Sequence, residues 1–175
     1  ICMEGEKLCQ TADVWVKDLN TLPIPCYNPE IYQGLEGKEK IRIFCLDESR
    51  GCPMGCAFCP NQSRYGNVRR VRKPKRCLEE IINIKRLYGS TVFRLSGSNT
   101  PPDWLHSFAN ELREAKLGIT FSMFSSGQDM NETIVRSLSE VGLFGLCLGI
   151  ESGDERVLLD GMGKRRGLET SRKMI

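Results

Sequence analysis

The 175-residue chain has a single histidine and no long apolar run. The nearest approach to a membrane span, Val141 to Ile150, holds three glycines and falls far short of the ~20 apolar residues a helix needs to cross a bilayer. The sequence is therefore expected to be soluble, with no membrane partner. The one histidine, His106, excludes histidine-rich metal sites and reads as a surface or packing residue. There is no initiator methionine at position 1, so the lack of a visible signal peptide carries no information on location. The chain opens at Ile1 and stops at Ile175 within a rising amphipathic pattern, so it is expected to be a piece of a longer protein.

Acidic residues are absent between Arg64 and Arg76, where Arg64, Arg69, Arg70, Arg72, Lys73, Lys75 and Arg76 accumulate. Either a solvated loop or contact with a phosphate or carboxylate of a cofactor or substrate accounts for such a run. Overall, 25 basic residues against 22 acidic leave a net charge of +3, too little by itself to imply nucleic acid. The nine cysteines are an odd number. Six of them (Cys2, Cys9, Cys26, Cys45, Cys77, Cys147) are scattered, which suits a reducing, cytoplasmic compartment rather than a disulfide framework. Cys45 and Cys147 lie in apolar runs and are expected to pack in the core.

What is present is an alternation of strands and helices. Residues 1–40 carry breakers such as Leu22-Pro23-Ile24-Pro25 and read as an extended linker. Strands are expected at 41–46, 91–95, 119–124 and 143–150. Helical spacing lies between them: Leu78 to Tyr88 closed by Gly89, a helix N-capped by Thr100 and closed near Gly118, one closed by Gly142, and a short one capped by Asp154. Met123 and Phe124 read as core residues. The pattern predicts an α/β protein with parallel strands. The segments after the strands, including Ser96-Gly97-Ser98-Asn99, Ser125-Ser126-Gly127 and Glu151-Ser152-Gly153, should gather at the carboxyl end of the sheet, where such proteins build their sites.

The first strand leads into S-R-G-C-P-M-G-C-A-F-C-P-N, residues 49–61, with Cys52, Cys56 and Cys59 in eight residues. Three thiols cannot pair among themselves. A structural zinc site needs a fourth ligand. An iron-sulfur cluster normally takes four cysteines, so three would leave one iron open. Gly51 and Gly55 would let backbone amides turn toward a bulky cluster.

Cys52-x-x-x-Cys56-x-x-Cys59, with Phe58 before the third cysteine, resembles the signature loop of the radical S-adenosylmethionine (radical SAM) superfamily. Leu148 to Leu158 resembles the fourth-strand segment of the branch that includes cobalamin-binding members and tRNA methylthiotransferases. Asp18 to Pro25 resembles the linker of the cobalamin-binding members, and Met3 to Glu6 the end of their cobalamin domain. The resemblance implies a partial (β/α) radical SAM barrel over 41–175, with about four of six βα units. It also implies a linker, 1–40, from a cobalamin-binding domain outside this chain.

By the same resemblance, Cys52, Cys56 and Cys59 bind three irons of a 4Fe-4S cluster and SAM takes the fourth. Phe58 lies near the adenine and Gly97 near the methionine moiety, with Ser98, Ser122, Glu151 and Ser152 as further SAM contacts. The Ser96-Gly97-Ser98-Asn99 segment departs from the family's usual second-strand motif. The implied chemistry is reductive SAM cleavage to a 5′-deoxyadenosyl radical, fed by a reductant such as flavodoxin or ferredoxin, with cobalamin-dependent methyl transfer as the leading function. An RNA-modifying, methylthiotransferase-like enzyme is the alternative, the substrate being a small molecule or RNA. A zinc-bearing interaction module is the non-enzymatic rival.

Overall fold

The computed structural model describes residues 2–4, 7–9, 15–28, 30–32, 43–127 and 130–173. Near the start, β1 (Cys2–Glu4) and β2 (Lys7–Cys9) pair antiparallel, where only an extended linker was expected.

The functional frame begins with β3 (Ile43–Leu46). A short β4 (Ser49–Arg50) follows, then α1 (Asn61–Tyr65) and β5 (Arg70–Val71). β4 and β5 pair antiparallel, which draws residues 51–69 into one closed loop. Next come α2 (Pro74–Tyr88), β6 (Val92–Leu95), α3 (Pro102–Ala115), β7 (Thr120–Ser125), α4 (Glu132–Ser139) and β8 (Leu143–Leu148). A π-helical turn at Val157–Gly161 and α5 (Leu168–Arg172) complete the described chain. The four long strands form one sheet in the order β3-β6-β7-β8, all parallel. This is the expected α/β layout. No described helix is long and apolar enough to cross a membrane.

Alternation along the strands sends one set of side chains to the helices and the next to the other face. Phe44, Leu46, Phe93, Leu95, Phe121 and Met123 are buried against Ile81 and Ile84 of α2, Trp104, Leu105 and Phe108 of α3, and Leu138 of α4. The intervening residues Cys45, Arg94, Ser122, Phe124 and Cys147 take the opposite face, as the register requires. Cys45 and Cys147 are consequently exposed, and Phe124 is 49% exposed, against the expectation that all three pack in the core. Apolar character alone did not say which face each strand position takes.

Helix ends also follow tertiary demands. Gly89 closes α2 in the left-handed conformation as expected. α3 instead stops on Lys116, at φ 48°, two residues before Gly118. Gly142 serves β8, since its φ is 108° and a Cβ there would lie 2.2 Å from the Ile119 carbonyl oxygen. Thr100 does not cap α3. Pro101 occupies that position, and the Thr100 hydroxyl is turned to Glu48.

The basic run turns largely inward. Arg72 is buried in an ion pair with Glu80 at 2.6 Å, and Arg76 pairs with Glu79 at 2.7 Å. Arg70 donates to the Val16 carbonyl at 2.6 Å and Arg76 to that of Leu22 at 3.3 Å, while the Lys73 amide donates to Asn20 Oδ1 at 2.7 Å. Leu19 is fully buried, and Tyr27 packs edge-on against Phe44. Residues 15–27 are thus fastened to the sheet domain by the run that could have been a solvated loop.

Candidate functional site

All four strand-to-helix connections of the parallel sheet open into one cavity of about 400 Å³. Parallel strands make this unavoidable, because their carboxyl ends lie on one edge. The cysteine loop forms one wall. Gly51, at φ 81°, is fixed by crowding, since a Cβ would stand 2.2 Å from the Val68 carbonyl oxygen. Gly55 also has positive φ, 71°, yet nothing lies within 4 Å of its missing Cβ. The loop is held by backbone hydrogen bonds from Cys52 to Gly66 (3.3 Å), from Cys59 to Cys56 (3.1 Å) and from Ala57 to Met162 (2.9 Å). Cys52, Cys56 and Cys59 are free thiols, partly exposed to the cavity. Partial burial pushes the Cys56 thiol up, Lys164 opposes this, and the neighbouring Cys52 and Cys59 reinforce it.

Among the described residues no three His, Cys, Asp or Glu side chains are grouped so as to hold a single metal ion. Three thiols lining one wall of a cavity are a donor set that a polynuclear cluster, in which each thiolate takes its own iron, would fit.

The second wall is Ser96, Gly97, Ser98 and Asn99, after β6. It is stitched to the segment just before the cysteines. Glu48, 1% exposed, accepts the Gly97 amide on Oε2 at 2.9 Å and the Thr100 hydroxyl on Oε1 at 2.6 Å. The Ser98 amide donates to the Ser49 carbonyl at 3.3 Å. Burial pushes the Glu48 carboxyl up to about 7, and Asp47 adds to it, while the hydrogen bonds from Thr100 and Gly97 act in the other direction. A Cβ at Gly97 would stand 2.4 Å from Glu48 Oε1 and 2.2 Å from Ser49 Oγ. The glycine is demanded by this packing, whatever approaches from the cavity.

The third and fourth loops add Phe124, Ser125 and Ser126, then Cys147, Gly149 and Glu151. Glu151 adopts φ 70°, and its carboxylate lies 3.7 Å from Lys164 Nζ, which also donates to the Gly149 carbonyl.

Of the residues singled out from sequence, Cys52, Cys56, Cys59, Phe58, Gly97, Ser98 and Glu151 are brought together on this cavity. Ser122 and Ser152 do not line it. Ser122 is buried on the sheet face, with its Oγ 3.5 Å from Arg94 Nε, and the Ser152 hydroxyl accepts the Asp154 amide at 3.0 Å. Sequence reasoning missed Glu48, Lys164 and Cys147 as parts of the site. Glu48 follows a strand by two residues and has no periodic signal. Lys164 lies beyond an irregular turn, and Cys147 was hidden in an apolar run.

A parallel sheet whose first strand feeds a three-thiol loop, with every later loop facing it, defines an α/β protein built to hold a cofactor on its carboxyl edge. The family model described as the radical SAM superfamily matches residues 49–175, and the chain belongs to that superfamily. It is 27% identical over 170 residues to the cytidylyl-2-hydroxyethylphosphonate methyltransferase of Streptomyces wedmorensis, covering 90% of this chain and 32% of that protein. To the bacteriochlorophyllide d C-8(2)-methyltransferase of Chlorobaculum tepidum it is 28% identical over 130 residues, covering 67% of this chain and 27% of the other. The fold is also that of the radical SAM methyltransferase TsrM from Kitasatospora setae, a structure with cobalamin and a [4Fe-4S] cluster bound: TM-score 0.64, 14% identity, 75% of this chain and 28% of that one. The chain thus spans about a third or less of each of these proteins.

Proposed function

We propose that this chain is the cluster- and SAM-binding part of a radical SAM enzyme that transfers a methyl group with the help of cobalamin held by a domain outside these residues. The observation that carries the reading is the meeting of Cys52, Cys56 and Cys59 with the 96–99 loop and Glu151 around one cavity, in a chain of this superfamily. Its ~400 Å³ is within the range of cofactor clefts.

When bound, the cluster supplies the electron that splits SAM into methionine and a 5′-deoxyadenosyl radical. Cys52, Cys56 and Cys59 would hold the cluster through their thiolates, and three protein ligands would leave a position open for SAM. Phe58, 49% exposed on the cavity, covers the adenine. Gly97 and Ser98 receive the methionine end, and Glu151 hydrogen-bonds the ribose or amino group. Ser122 and Ser152 stand outside the cavity and take no part in this assignment; the Ser152 hydroxyl accepts the Asp154 amide in the turn beyond Glu151.

Methyl transfer is favoured by the names of the relatives and by the resemblance of the linker. The RNA-modifying alternative drew its support from the basic run, whose Arg70, Arg72 and Arg76 are engaged internally. A small-molecule substrate, a ferredoxin or flavodoxin as one-electron donor, and a cytoplasmic location complete the reading.

Anaerobic reconstitution of the full-length protein with iron and sulfide, followed by SAM and a reductant, tests it. About four irons per chain and formation of SAM cleavage products are expected. A site that takes zinc and no cluster would sink the reading. Failure of the full-length protein, which includes the domain outside these residues, to retain cobalamin would remove the methyl-transfer part and leave the radical SAM part standing.

A further inference from the structure

A buried carboxylate beside a cofactor cavity needs a reason, because burial without an ion pair opposes its charge. Glu48 has no ion pair among the described residues. Its carboxylate lies behind the wall, not in it, and both oxygens are engaged with the loop after β6. The same residue leads into the cysteine loop four positions later. Its backbone carbonyl accepts the Arg72 amide at 2.9 Å, which joins it to the closing edge of that loop. Glu48 is therefore the one described side chain that hydrogen-bonds the 96–100 loop from the segment bearing the thiols, apart from the long 3.4 Å contact of Ser49 Oγ with Thr100 Oγ1.

We propose that Glu48 is a positioning residue for SAM: its ionised carboxylate locks the Gly97 amide and the Thr100 hydroxyl, and so sets the gap between the 96–99 loop and the cysteine loop in which the methionine end of SAM is received. This rests on the SAM-binding reading given above. The charged and titratable groups around Glu48 are Asp47 on its own loop, Arg72 after β5, and Cys77 and Glu80 on α2. Arg72 is committed to Glu80, and burial pushes the Cys77 thiol up to about 12. Glu48 itself, enclosed among these groups, is pushed by burial up to about 7. A protonated carboxyl can still donate to Thr100 but accepts the Gly97 amide more weakly.

The test is SAM affinity measured by equilibrium dialysis from pH 6 to 8, on full-length reconstituted protein, for the wild type and for Glu48→Gln. If only the ionised form is competent, a group titrating near 7 makes apparent affinity about tenfold tighter at pH 8 than at pH 6. Glu48→Gln should lack that component. What remains in the variant comes from the amino group of SAM, whose own titration is common to both proteins. Thr100→Val, which keeps the carboxylate but removes a hydrogen bond that favours its charge, should move the midpoint to higher pH. It serves as the second variant if Glu48→Gln does not fold.

An unchanged pH profile in Glu48→Gln, or an unmoved midpoint in Thr100→Val, overturns the proposal. Amide exchange of residues 96–100 in cluster-free protein separates it from the SAM-binding reading. Protection there, taken relative to that of the core helices α2 and α3, which carry the fall of global stability with pH, should rise with pH in the wild type and not in Glu48→Gln, even for a chain that takes no cluster. If that rise is missing, Glu48 does not lock the loop.

Discussion

The two walls of the cavity differ in what stands behind them: the cysteine loop is crowded at its base, at Gly51, and open at its tip, at Gly55, whereas the 96–99 loop is backed at Gly97. At Gly97 a Cβ meets a buried carboxylate and a hydroxyl at 2.2–2.4 Å, whereas at Gly55 it meets nothing within 4 Å. The 96–99 wall ends a central strand and is backed by hydrogen bonds involving Glu48, Ser49 and Thr100. The cysteine wall is a loop held mainly by backbone hydrogen bonds and closed at its base by β4 and β5. One wall is specified by packing, and the other is specified by what it binds. On the proposed function, a polynuclear cluster would supply to the loop the constraint that the core supplies to the strand end.

The sharpest break of this comparison is replacement of any one of Cys52, Cys56 or Cys59 by serine. Bound iron should fall at least tenfold, while the melting temperature of the cluster-free protein stays within a few degrees, because the thiols are partly exposed and leave no large cavity. Iron analysis and circular dichroism check both halves. Gly97→Ala should show the reverse pattern, with overpacking costing about 3 kcal/mol, against about 1 kcal/mol for the left-handed strain of Gly55→Ala. Urea midpoints of the two variants measure the difference. Equal losses would mean that the walls are not built differently.

Glu48 gives the 96–99 wall a pH signature. Its folded carboxyl keeps a proton up to about 7, above the ordinary value of 4.5. Its contribution to stability is therefore fullest below about 4.5 and declines as pH rises to about 7, by up to about 3 kcal/mol. Urea unfolding at pH 5 and pH 7.5 should show the decline in the wild type and not in Glu48→Gln. The smallest effect is expected from Arg70→Met. It removes the donor to the carbonyls of Val16 and Tyr65, loosening the base of the cysteine loop by about 1 kcal/mol without altering iron content. A loss of iron there would show that the cysteine wall depends on the linker.

Much of the frame was legible in sequence. Helical periodicity marked Leu78, Ile81 and Ile84, and the four apolar runs marked the strands, because burial on one face imposes those repeats. The three-cysteine spacing was legible because the chemistry needs those atoms within one loop. What escaped were residues whose role depends on neighbours distant in the chain. Thr100 looked like a cap and became a partner of Glu48, 52 residues away. Phe124, Cys45 and Cys147 looked like core because apolar character does not report which face of a strand is covered. The arginines after Arg64 looked solvated or substrate-seeking, yet Arg72 and Arg76 pair with Glu80 and Glu79 on α2, and Arg70 and Arg76 also reach carbonyls some 54 residues earlier, in the linker.

By itself the sequence determined the alternation of elements, the parallel α/β class and the loop of thiols, since each is set by local spacing and by the reach of a short segment. The tertiary structure alone decided which loops meet, why Gly97 must be glycine and that a buried glutamate joins the two walls. Those facts arise when strands distant in the chain are placed side by side and a carboxylate loses its water, and neither event leaves a periodic trace along the chain.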